Sequence, residues 1–149
     1  MRVAVVQTNP RFGAVRENVA AGLHFIENGT ADLFVLPELF STGYNFVDGK
    51  ELKDLAEPAD GSTFAAVAAL AKEKKCHVVY GFAEQADRLY NSAACVGPDG
   101  LIGVYRKIHL YYKETLFFAP GNLGFPVFDL PFGRIGVMIC FDWIYPESA

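Results

Sequence analysis

Short β-branched runs alternate with helical periodicity at the start of the chain, and this alternation most constrains the fold. Residues 3–7 (VAVVQ) and 32–37 (DLFVLP) are apolar runs typical of buried strands. Between them, apolar residues recur at helical spacing, and Asn28 and Gly29 follow as a stop signal. The periodic residues are Val15, Val19, Leu23 and Ile26. The order strand, helix, strand predicts an α/β arrangement.

A second helix and several successive strands follow. Ser62 is placed to cap a helix whose apolar residues share one face. These residues are Phe64, Val67, Leu70 and Ala71. Residues 77–84 (HVVYGFAE) are strand-like, and a hairpin is predicted around Pro98-Asp99-Gly100. Two more strands are predicted within residues 127–140. The whole pattern favours an α/β sheet with helices on at least one face.

Two stretches lack a clear periodicity and are predicted to be loops. The first runs from Glu38 to Gly61 and is polar, and the second covers residues 108–126 and is rich in aromatic side chains. Near the end of the sequence, Pro146 opens a further helix that Asp142 is placed to cap. Because that helix has no room to continue, we expect the native polypeptide to be longer.

The composition favours a folded protein without nucleic-acid or membrane partners. The 149 residues are 52% hydrophobic, which is too apolar for a disordered segment. The net charge of -4 includes no long run of one sign, which argues against nucleic acid. No apolar stretch approaches the roughly 20 residues that span a bilayer. The three cysteines form no CxxC pair, so we expect free thiols in a cytoplasmic protein.

Cys140 is the first candidate for a catalytic residue. It ends an apolar run and precedes a turn, the position of a nucleophile elbow at the edge of an α/β sheet. Taken alone, a free cysteine in an apolar strand is more often a packing residue. Glu38 and Lys107 occupy matching positions after predicted strands, although a solvated surface role is the default for each. The residues themselves leave both interpretations open.

Three segments resemble the signature blocks of the nitrilase superfamily, the carbon-nitrogen hydrolases: LPELFSTGY, YRKIHLYYKE and GVMICFDWIYPE. The block order and the connector FFAPGNLGFPVFDL agree with that family. The resemblance implies a mixed β-sheet with helices on one face, as the N-terminal half of a four-layer αββα sandwich. Residues 1–149 would then be the N-terminal part of a single carbon-nitrogen hydrolase domain, truncated shortly after the nucleophile.

The resemblance also assigns catalytic roles. It makes Glu38 the general base, Lys107 the cationic stabiliser and Cys140 the nucleophile, with Glu114 as a second glutamate beside them. The implied reaction hydrolyses a non-peptide carbon-nitrogen bond in a small amide or nitrile, through a cysteine thioester, to a carboxylic acid and ammonia. A thiol with a pKa of about 8.5 needs a cation or a base to act at pH 7, and Lys107 and Glu38 would supply both.

The resemblance further implies the surroundings of the site. No cofactor or metal is required, and the full-length protein is expected to be a homo-oligomer, a dimer or higher. The backbone N–H of Phe141 is the expected second oxyanion donor. Tyr44, Phe117 and Trp143 are expected to line a substrate pocket, while packing between layers is an equally open role for these aromatics.

Other functions remain open from the sequence. Glu38, His109 and Cys140 belong to residue types that bind zinc. No two of them, however, are separated by the short sequence spacing that is typical of the ligands in a zinc site. His109 is instead expected to help fix the loop after Lys107. The chain could also be an inactive fragment that needs its missing C-terminal half, or an N-carbamoyl amine hydrolase. The CFDWIYPES block and the GNLGF connector look most like archaeal-type aliphatic nitrilases and related amidases.

Overall fold

A five-stranded mixed sheet forms the centre of the structure, a computed structural model that describes residues 1–149. Its strands, in chain order and also in spatial order, are β1 (Val3–Val5), β2 (Leu33–Val35), β3 (His77–Gln85), β4 (Leu89–Gly97) and β5 (Gly100–Arg106). The pairs β1·β2 and β2·β3 are parallel, whereas β3·β4 and β4·β5 are antiparallel. The predicted α/β class and the predicted hairpin are confirmed.

The strand directions bring three distant segments to one edge of the sheet. Because β4 is antiparallel to both of its neighbours, β5 runs in the same direction as β2 and β3. The residues that follow β2 and β5 therefore lie at the same edge as the beginning of β4. Glu38 comes after β2, Lys107 comes directly after β5, and Asn91 lies near the start of β4. The backbone N–H of Lys107 donates to the Asn91 carbonyl at 2.8 Å.

Three helices accompany the sheet, and two of them pack on one of its faces. They are α1 (Val15–Asn28), α2 (Gly49–Leu55) and α3 (Ser62–Lys74). The predicted apolar faces of α1 and α3 contribute to the main core. Its fully buried members include Ile26, Phe34, Phe40, Val67, Val78 and Ala94. None of the helices is long and apolar enough to cross a membrane.

The start of α3 is capped by Glu57 and not, as predicted, by Ser62. Ser62 is already the first residue of the helix. The carboxylate of Glu57 accepts the N–H of Thr63 at 2.9 Å and the Ser62 hydroxyl at 3.2 Å. A carboxylate from before the helix thus satisfies a free N–H of the first turn, where negative charge is also favoured.

The helix α2 lies inside the stretch that was predicted to be a loop. The Asp48 side chain accepts the N–H of Glu51 at 2.9 Å and so caps the helix, and Leu52 is its buried residue. With 7 residues, α2 spans only about two turns, too few for an apolar periodicity to be visible in the sequence.

A two-stranded hairpin covers the face of the sheet opposite α1 and α3. Its strands, β6 (Val127–Leu130) and β7 (Gly133–Gly136), pair antiparallel as a separate sheet. Phe128 and Leu130 pack with Cys95 and Tyr105 of the main sheet. Both predicted strands exist, and the hairpin buries the middle of the second face.

Two details of the predicted strands are wrong. β7 ends at Gly136, so Cys140 does not end a strand but begins the 3-10 helix Cys140–Ile144. The second concerns β1, which was predicted to be buried. It is one of the two edge strands of the sheet, and Val3 and Val5 are 44% and 77% exposed. Only the intervening Ala4 faces the main core, as the two-residue period of a strand requires.

Candidate active site

Glu38 is held at the sheet edge by a close backbone crossing over β3. The N–H of Gly81 donates to the Pro37 carbonyl at 3.2 Å, and the N–H of Phe40 donates to the Gly81 carbonyl at 3.1 Å. A Cβ atom at residue 81 would lie 2.7 Å from the Cα of Glu38, so glycine is needed for this approach. Leu39 has a φ of 48°, a left-handed conformation that is unfavourable for leucine. The surrounding contacts therefore fix the Glu38 backbone.

Lys107 lies fully buried between two carboxylates. Its Nζ is 2.7 Å from Oε1 of Glu38, and 3.0 and 2.9 Å from the two carboxylate oxygens of Glu114. Its own backbone is anchored by the hydrogen bond to Asn91 and by the N–H of Gly121, which donates to the Lys107 carbonyl at 2.9 Å. The structure thus brings Glu38 into contact with Lys107, which lies 69 residues away in the sequence, and with the neighbourhood of Glu114, which lies 7 residues after Lys107.

Asn91 belongs to the same cluster, and the sequence analysis missed it. Its fully buried side chain donates from Nδ2 to Oε1 of Glu38 at 2.7 Å and to Oε1 of Glu114 at 2.8 Å. Glu114 also accepts the backbone N–H of Tyr111, at the start of the 3-10 helix Tyr112–Leu116. An asparagine in a buried strand could have signalled this role, because a buried amide requires partners.

The cluster holds one ammonium and two carboxylates. Burial raises the pKa of Glu38, although hydrogen bonds from Lys107 and Asn91 oppose this change. Desolvation would lower the pKa of Lys107, but its hydrogen bonds to Glu38 and Glu114 outweigh this effect and the pKa is raised. Lys107 therefore stays charged at neutral pH, and Glu38 is a stronger base than an ordinary carboxylate.

Cys140 is the one exposed cysteine of the three. Its φ of 44° lies in the left-handed region, where strain marks functional positions more often than ordinary ones. Cys140 and Glu38 line the same crevice, which has a volume of about 120 Å³. Cys76 and Cys95 are buried in the core, as expected of packing residues. Unlike them, Cys140 belongs to none of the core clusters of this chain.

The thiol of Cys140 is not a preformed thiolate. Burial raises its pKa, and the negative charge of Glu38 raises it further. Lys107 and the backbone N–H of Phe141 act in the opposite direction without overcoming these effects. The expected help from the Lys107 charge is thus outweighed. The sulfur becomes a strong nucleophile only when a base takes its proton.

Asp142 fastens the turn that carries Cys140 to the loop that follows β5. Its fully buried carboxylate accepts the N–H of Ile139 at 2.9 Å and the hydroxyl of Tyr105 at 2.6 Å. The other oxygen accepts the backbone N–H of His109 at 3.0 Å. The prediction that Asp142 caps a helix farther along the chain is wrong, because one of its oxygens accepts the N–H of Ile139 within this turn and the other accepts the N–H of His109. His109 has the loop-fixing position that was expected of it.

The residues considered as metal ligands do not converge. Nδ1 of His109 lies 2.9 Å from the Asp142 carboxylate, and its ring stacks on Tyr145 with a centroid separation of 3.7 Å. Glu38 and Cys140 line the same crevice, but His109 does not line it. The structure contains no group of three or more His, Cys, Asp or Glu side chains that could hold a metal ion.

A mostly apolar cavity of about 300 Å³ adjoins the cluster at Glu114. Two of the predicted pocket aromatics, Tyr44 and Phe117, line it. Burial and the nearby charge of Glu114 raise the pKa of Tyr44, so this hydroxyl stays protonated. The ring of Phe141 packs against an aromatic side chain of the same wall. Trp143 is 74% exposed and lines neither this cavity nor the crevice.

Comparison with known proteins identifies relatives along the whole chain. Residues 2–149 match the family described as "Carbon-nitrogen hydrolase". A protein of Pyrococcus abyssi named "Nitrilase" is 48% identical over 154 residues, which cover 100% of this chain and 59% of the relative. An "(R)-stereoselective amidase" of a Pseudomonas species is 36% identical over 152 residues, which cover 100% of this chain and 54% of that protein.

A solved structure agrees with the sequence comparison. A protein of the CN-hydrolase superfamily from Xanthomonas campestris, with an arsenic adduct in its active site, superposes on this chain with a TM-score of 0.87 at 26% identity. The match covers 97% of this chain and 55% of that protein. The chain thus spans little more than half the length of these relatives. With the family match over residues 2–149, the chain belongs to the carbon-nitrogen hydrolase family.

Proposed function

We propose that the complete protein hydrolyses a carbon-nitrogen bond in a small amide or nitrile, through a thioester on Cys140. The observation that carries this proposal is the placement of Lys107 between Glu38 and Glu114, while Glu38 shares a crevice with Cys140. A base, a fixed cation and an accessible thiol are the groups that acyl transfer requires. The names of the two relatives, a nitrilase and an amidase, agree with chemistry of this kind.

The first step with an amide is attack by sulfur on the carbonyl carbon. Glu38 takes the thiol proton as the carbon–sulfur bond forms, which avoids a free thiolate in a site that disfavours one. Negative charge develops on the former carbonyl oxygen. The Lys107 ammonium and the backbone N–H of Phe141 stabilise it, and each such donor contributes roughly 3 to 4 kcal/mol in well-studied enzymes.

Two further steps complete the reaction. The tetrahedral adduct collapses, the carbon–nitrogen bond breaks, and Glu38 gives its proton to the nitrogen so that ammonia leaves. Water then attacks the thioester while Glu38 accepts one of its protons. The carbon–sulfur bond breaks, the proton returns to the sulfur of Cys140, and the carboxylic acid departs.

A nitrile follows the same path after one additional hydration. The thiol adds across the carbon–nitrogen triple bond to give a thioimidate, and a water molecule adds to its carbon. Loss of ammonia leaves the same thioester, which a second water hydrolyses. Glu38, Lys107 and Cys140 serve both substrates, so these residues do not distinguish an amidase from a nitrilase.

The decisive experiment removes the nucleophile from the complete protein. Cys140→Ala should retain the fold and release no ammonia from ω-amides, N-carbamoyl amines or small aliphatic nitriles. Cys140→Ser should keep little activity, because an alkoxide is harder to generate than a thiolate. Circular dichroism confirms the fold, and an ammonia assay measures turnover.

The buried Cys76 provides the matched control. Cys76→Ala removes a thiol from the core on the helix side of the sheet and should leave turnover per folded molecule unchanged. Intact mass of the wild-type protein quenched during turnover should show an acyl adduct, and Cys140→Ala should show none. Hydrolysis by the Cys140→Ala protein at the wild-type rate would disprove the proposal.

A further inference from the structure

Asn91 makes an unusual pair of hydrogen bonds for a neutral side chain. One amide nitrogen donates to both carboxylates of the cluster, at 2.7 Å to Glu38 and 2.8 Å to Glu114. The Lys107 ammonium bridges the same two Oε1 atoms. One charged and one neutral donor therefore bind the two carboxylates. They come from different segments, because Asn91 lies on β4 and Lys107 follows β5.

The orientation of the Asn91 amide is fixed by its partners. If the amide were rotated by half a turn, its oxygen would face two carboxylate oxygens at hydrogen-bond distance, and these atoms repel. In the observed orientation Oδ1 is buried and has no hydrogen-bond partner. An unpaired buried carbonyl is unfavourable. The two bonds that the amide nitrogen makes therefore outweigh the unsatisfied oxygen.

The two oxygens of the Glu38 carboxylate have different surroundings. Both of its hydrogen bonds, from Lys107 and from Asn91, fall on Oε1. Oε2 accepts none, and Glu38 lines the crevice that also contains Cys140. The carboxylate is held by one oxygen while the other keeps its lone pairs available.

We propose that Asn91 is a positioning residue that pins Oε1 of Glu38 and leaves Oε2 as the oxygen that takes the Cys140 proton. This inference rests on the proposed function of the site. Asn91 touches no reacting atom in this scheme and acts only through Glu38 and Glu114. Because the donor is neutral, it orders the two carboxylates without adding a second positive charge, which would lower the pKa of Glu38 and weaken it as a base.

The role predicts a specific change in pH dependence. The hydrogen bond from Asn91 opposes the effect of burial on the pKa of Glu38. Without this bond, the carboxylate gains a proton at a higher pH than in the wild type. Because Glu38 must be unprotonated to accept the thiol proton, the acid limb of the rate profile should move to higher pH.

The main test is Asn91→Leu in the complete protein, since leucine has a similar volume and no donor. We expect kcat to fall by roughly 10- to 100-fold, KM to change little, and the acid limb to rise by about 1 pH unit. Asn91→Ser should shift the limb in the same direction and avoids placing an apolar group against two carboxylates. It provides the test if the leucine variant does not fold.

Asn18 supplies the matched control. It is also buried, and its amide nitrogen also makes two hydrogen bonds, to the carbonyls of Arg11 and Ser41. Asn18→Leu should lower thermal stability by a similar amount and leave the acid limb in place. A structural role alone for Asn91 would make the two variants behave alike.

A second measurement needs no turnover. The carboxyl carbon of Glu38 can be followed by NMR in protein labelled at glutamate, with Glu38→Gln used to assign its resonance. The titration midpoint should rise in Asn91→Leu and stay unchanged in Asn18→Leu. An unchanged midpoint in Asn91→Leu overturns the inference, even if activity falls. If the wild type hydrolyses nothing, the proposed function fails, and the titration still decides whether Asn91 controls Glu38.

Discussion

Arg106 and Lys107 are consecutive residues, yet they belong to two different kinds of buried charge cluster. Arg106 donates to both oxygens of Glu84, at 2.9 Å from Nε and 2.6 Å from Nη2. The Ser92 hydroxyl donates to the same carboxylate at 2.6 Å, and the guanidinium carbon lies 4.0 Å from the centre of the Tyr90 ring. One cation meets one anion here with a bidentate geometry.

The cluster of Lys107 has a different charge balance. One cation meets two carboxylates, Glu38 and Glu114, and a thiol opens into the same crevice as Glu38. In the pair around Arg106, both oxygens of Glu84 accept hydrogen bonds from Arg106, so this carboxylate is not available as a base. The cluster with an excess carboxylate keeps a base whose pKa is raised and which is available to accept a proton. The comparison teaches that charge imbalance, and not burial alone, separates the candidate site from a structural ion pair.

The largest effect is expected from removing the cation of the unbalanced cluster. Lys107→Met leaves the buried Glu114 and the partly buried Glu38 without a cation, and it removes the proposed oxyanion donor. Activity should fall by at least about 10³-fold, and the free energy of unfolding should fall by about 3 to 5 kcal/mol. Ammonia release and chemical denaturation measure the two effects.

Arg106→Met provides the counterpart on the balanced cluster. It leaves Glu84 buried without its cation and should destabilise the protein by a comparable amount. Turnover per folded molecule should stay within about tenfold of the wild type, because Arg106 contacts no group of the proposed reaction. Equal losses of turnover in the two variants would abolish the distinction between the clusters.

The difference between these clusters could be predicted only in part from the sequence. The strands, the helices α1 and α3 and the hairpin turn follow from local patterns of apolar, β-branched and turn residues. The importance of Glu38, Lys107 and Cys140 came from the resemblance of three sequence blocks. The approach of Glu38 to Lys107 depends on the order and direction of five strands, and the position of Cys140 depends on the hairpin packed on that sheet, neither of which local periodicity encodes.

Two features around the site escaped prediction for physical reasons. Asn91 lies beside Ser92 in a mostly apolar strand, and nothing local marks it, because its partners lie 53 and 23 residues away in the sequence. The turn at Cys140 was taken for the end of a strand because the run before it is apolar. The Asp142 carboxylate instead accepts a hydrogen bond from the N–H of Ile139, and a 3-10 helix begins at Cys140.

A smaller effect, with a defined sign, is expected from neutralising the excess carboxylate. The charge of Glu114 contributes to the raised pKa of Glu38. In Glu114→Gln this contribution is lost, so Glu38 remains ionised to lower pH and the acid limb of the rate profile should move downward. This direction is opposite to that expected for Asn91→Leu. The rate itself should fall by roughly 10- to 100-fold, because Lys107 loses one of its two charged partners.

Glu84→Gln is the equivalent change in the balanced cluster. It should lower stability by about 2 to 4 kcal/mol and leave the acid limb where it is, because Glu84 faces Arg106 and not Glu38. Rate profiles measured over the same pH range for both variants check this prediction. A shift of the acid limb in Glu84→Gln would show that the two clusters are electrostatically coupled.

The close approach beneath Glu38 should tolerate no side chain. In Gly81→Ala the new Cβ would lie 2.7 Å from backbone atoms of Glu38 and Leu39, so that segment must shift. We expect a loss of about 1 to 3 kcal/mol in unfolding free energy and a fall in kcat. Gly136→Ala is the control, because a Cβ there meets nothing within 4 Å. Thermal unfolding and turnover of both variants give the comparison, and equal stability would show that the crossing is not tight.

The smallest effect concerns the outer partner of Arg106. Asp87 lies 3.7 Å from Nη1 of Arg106, but its side chain is 63% exposed, so water and salt screen this pair. Asp87→Asn removes the charge and keeps an oxygen that can still accept the Tyr90 hydroxyl, which Asp87 binds at 3.1 Å. The free energy of unfolding should change by less than about 0.5 kcal/mol. Chemical denaturation at low and high salt checks this. A loss as large as that of Glu84→Gln would mean that Arg106 depends on both carboxylates, and its cluster would then resemble that of Lys107 in having one cation shared by two anions.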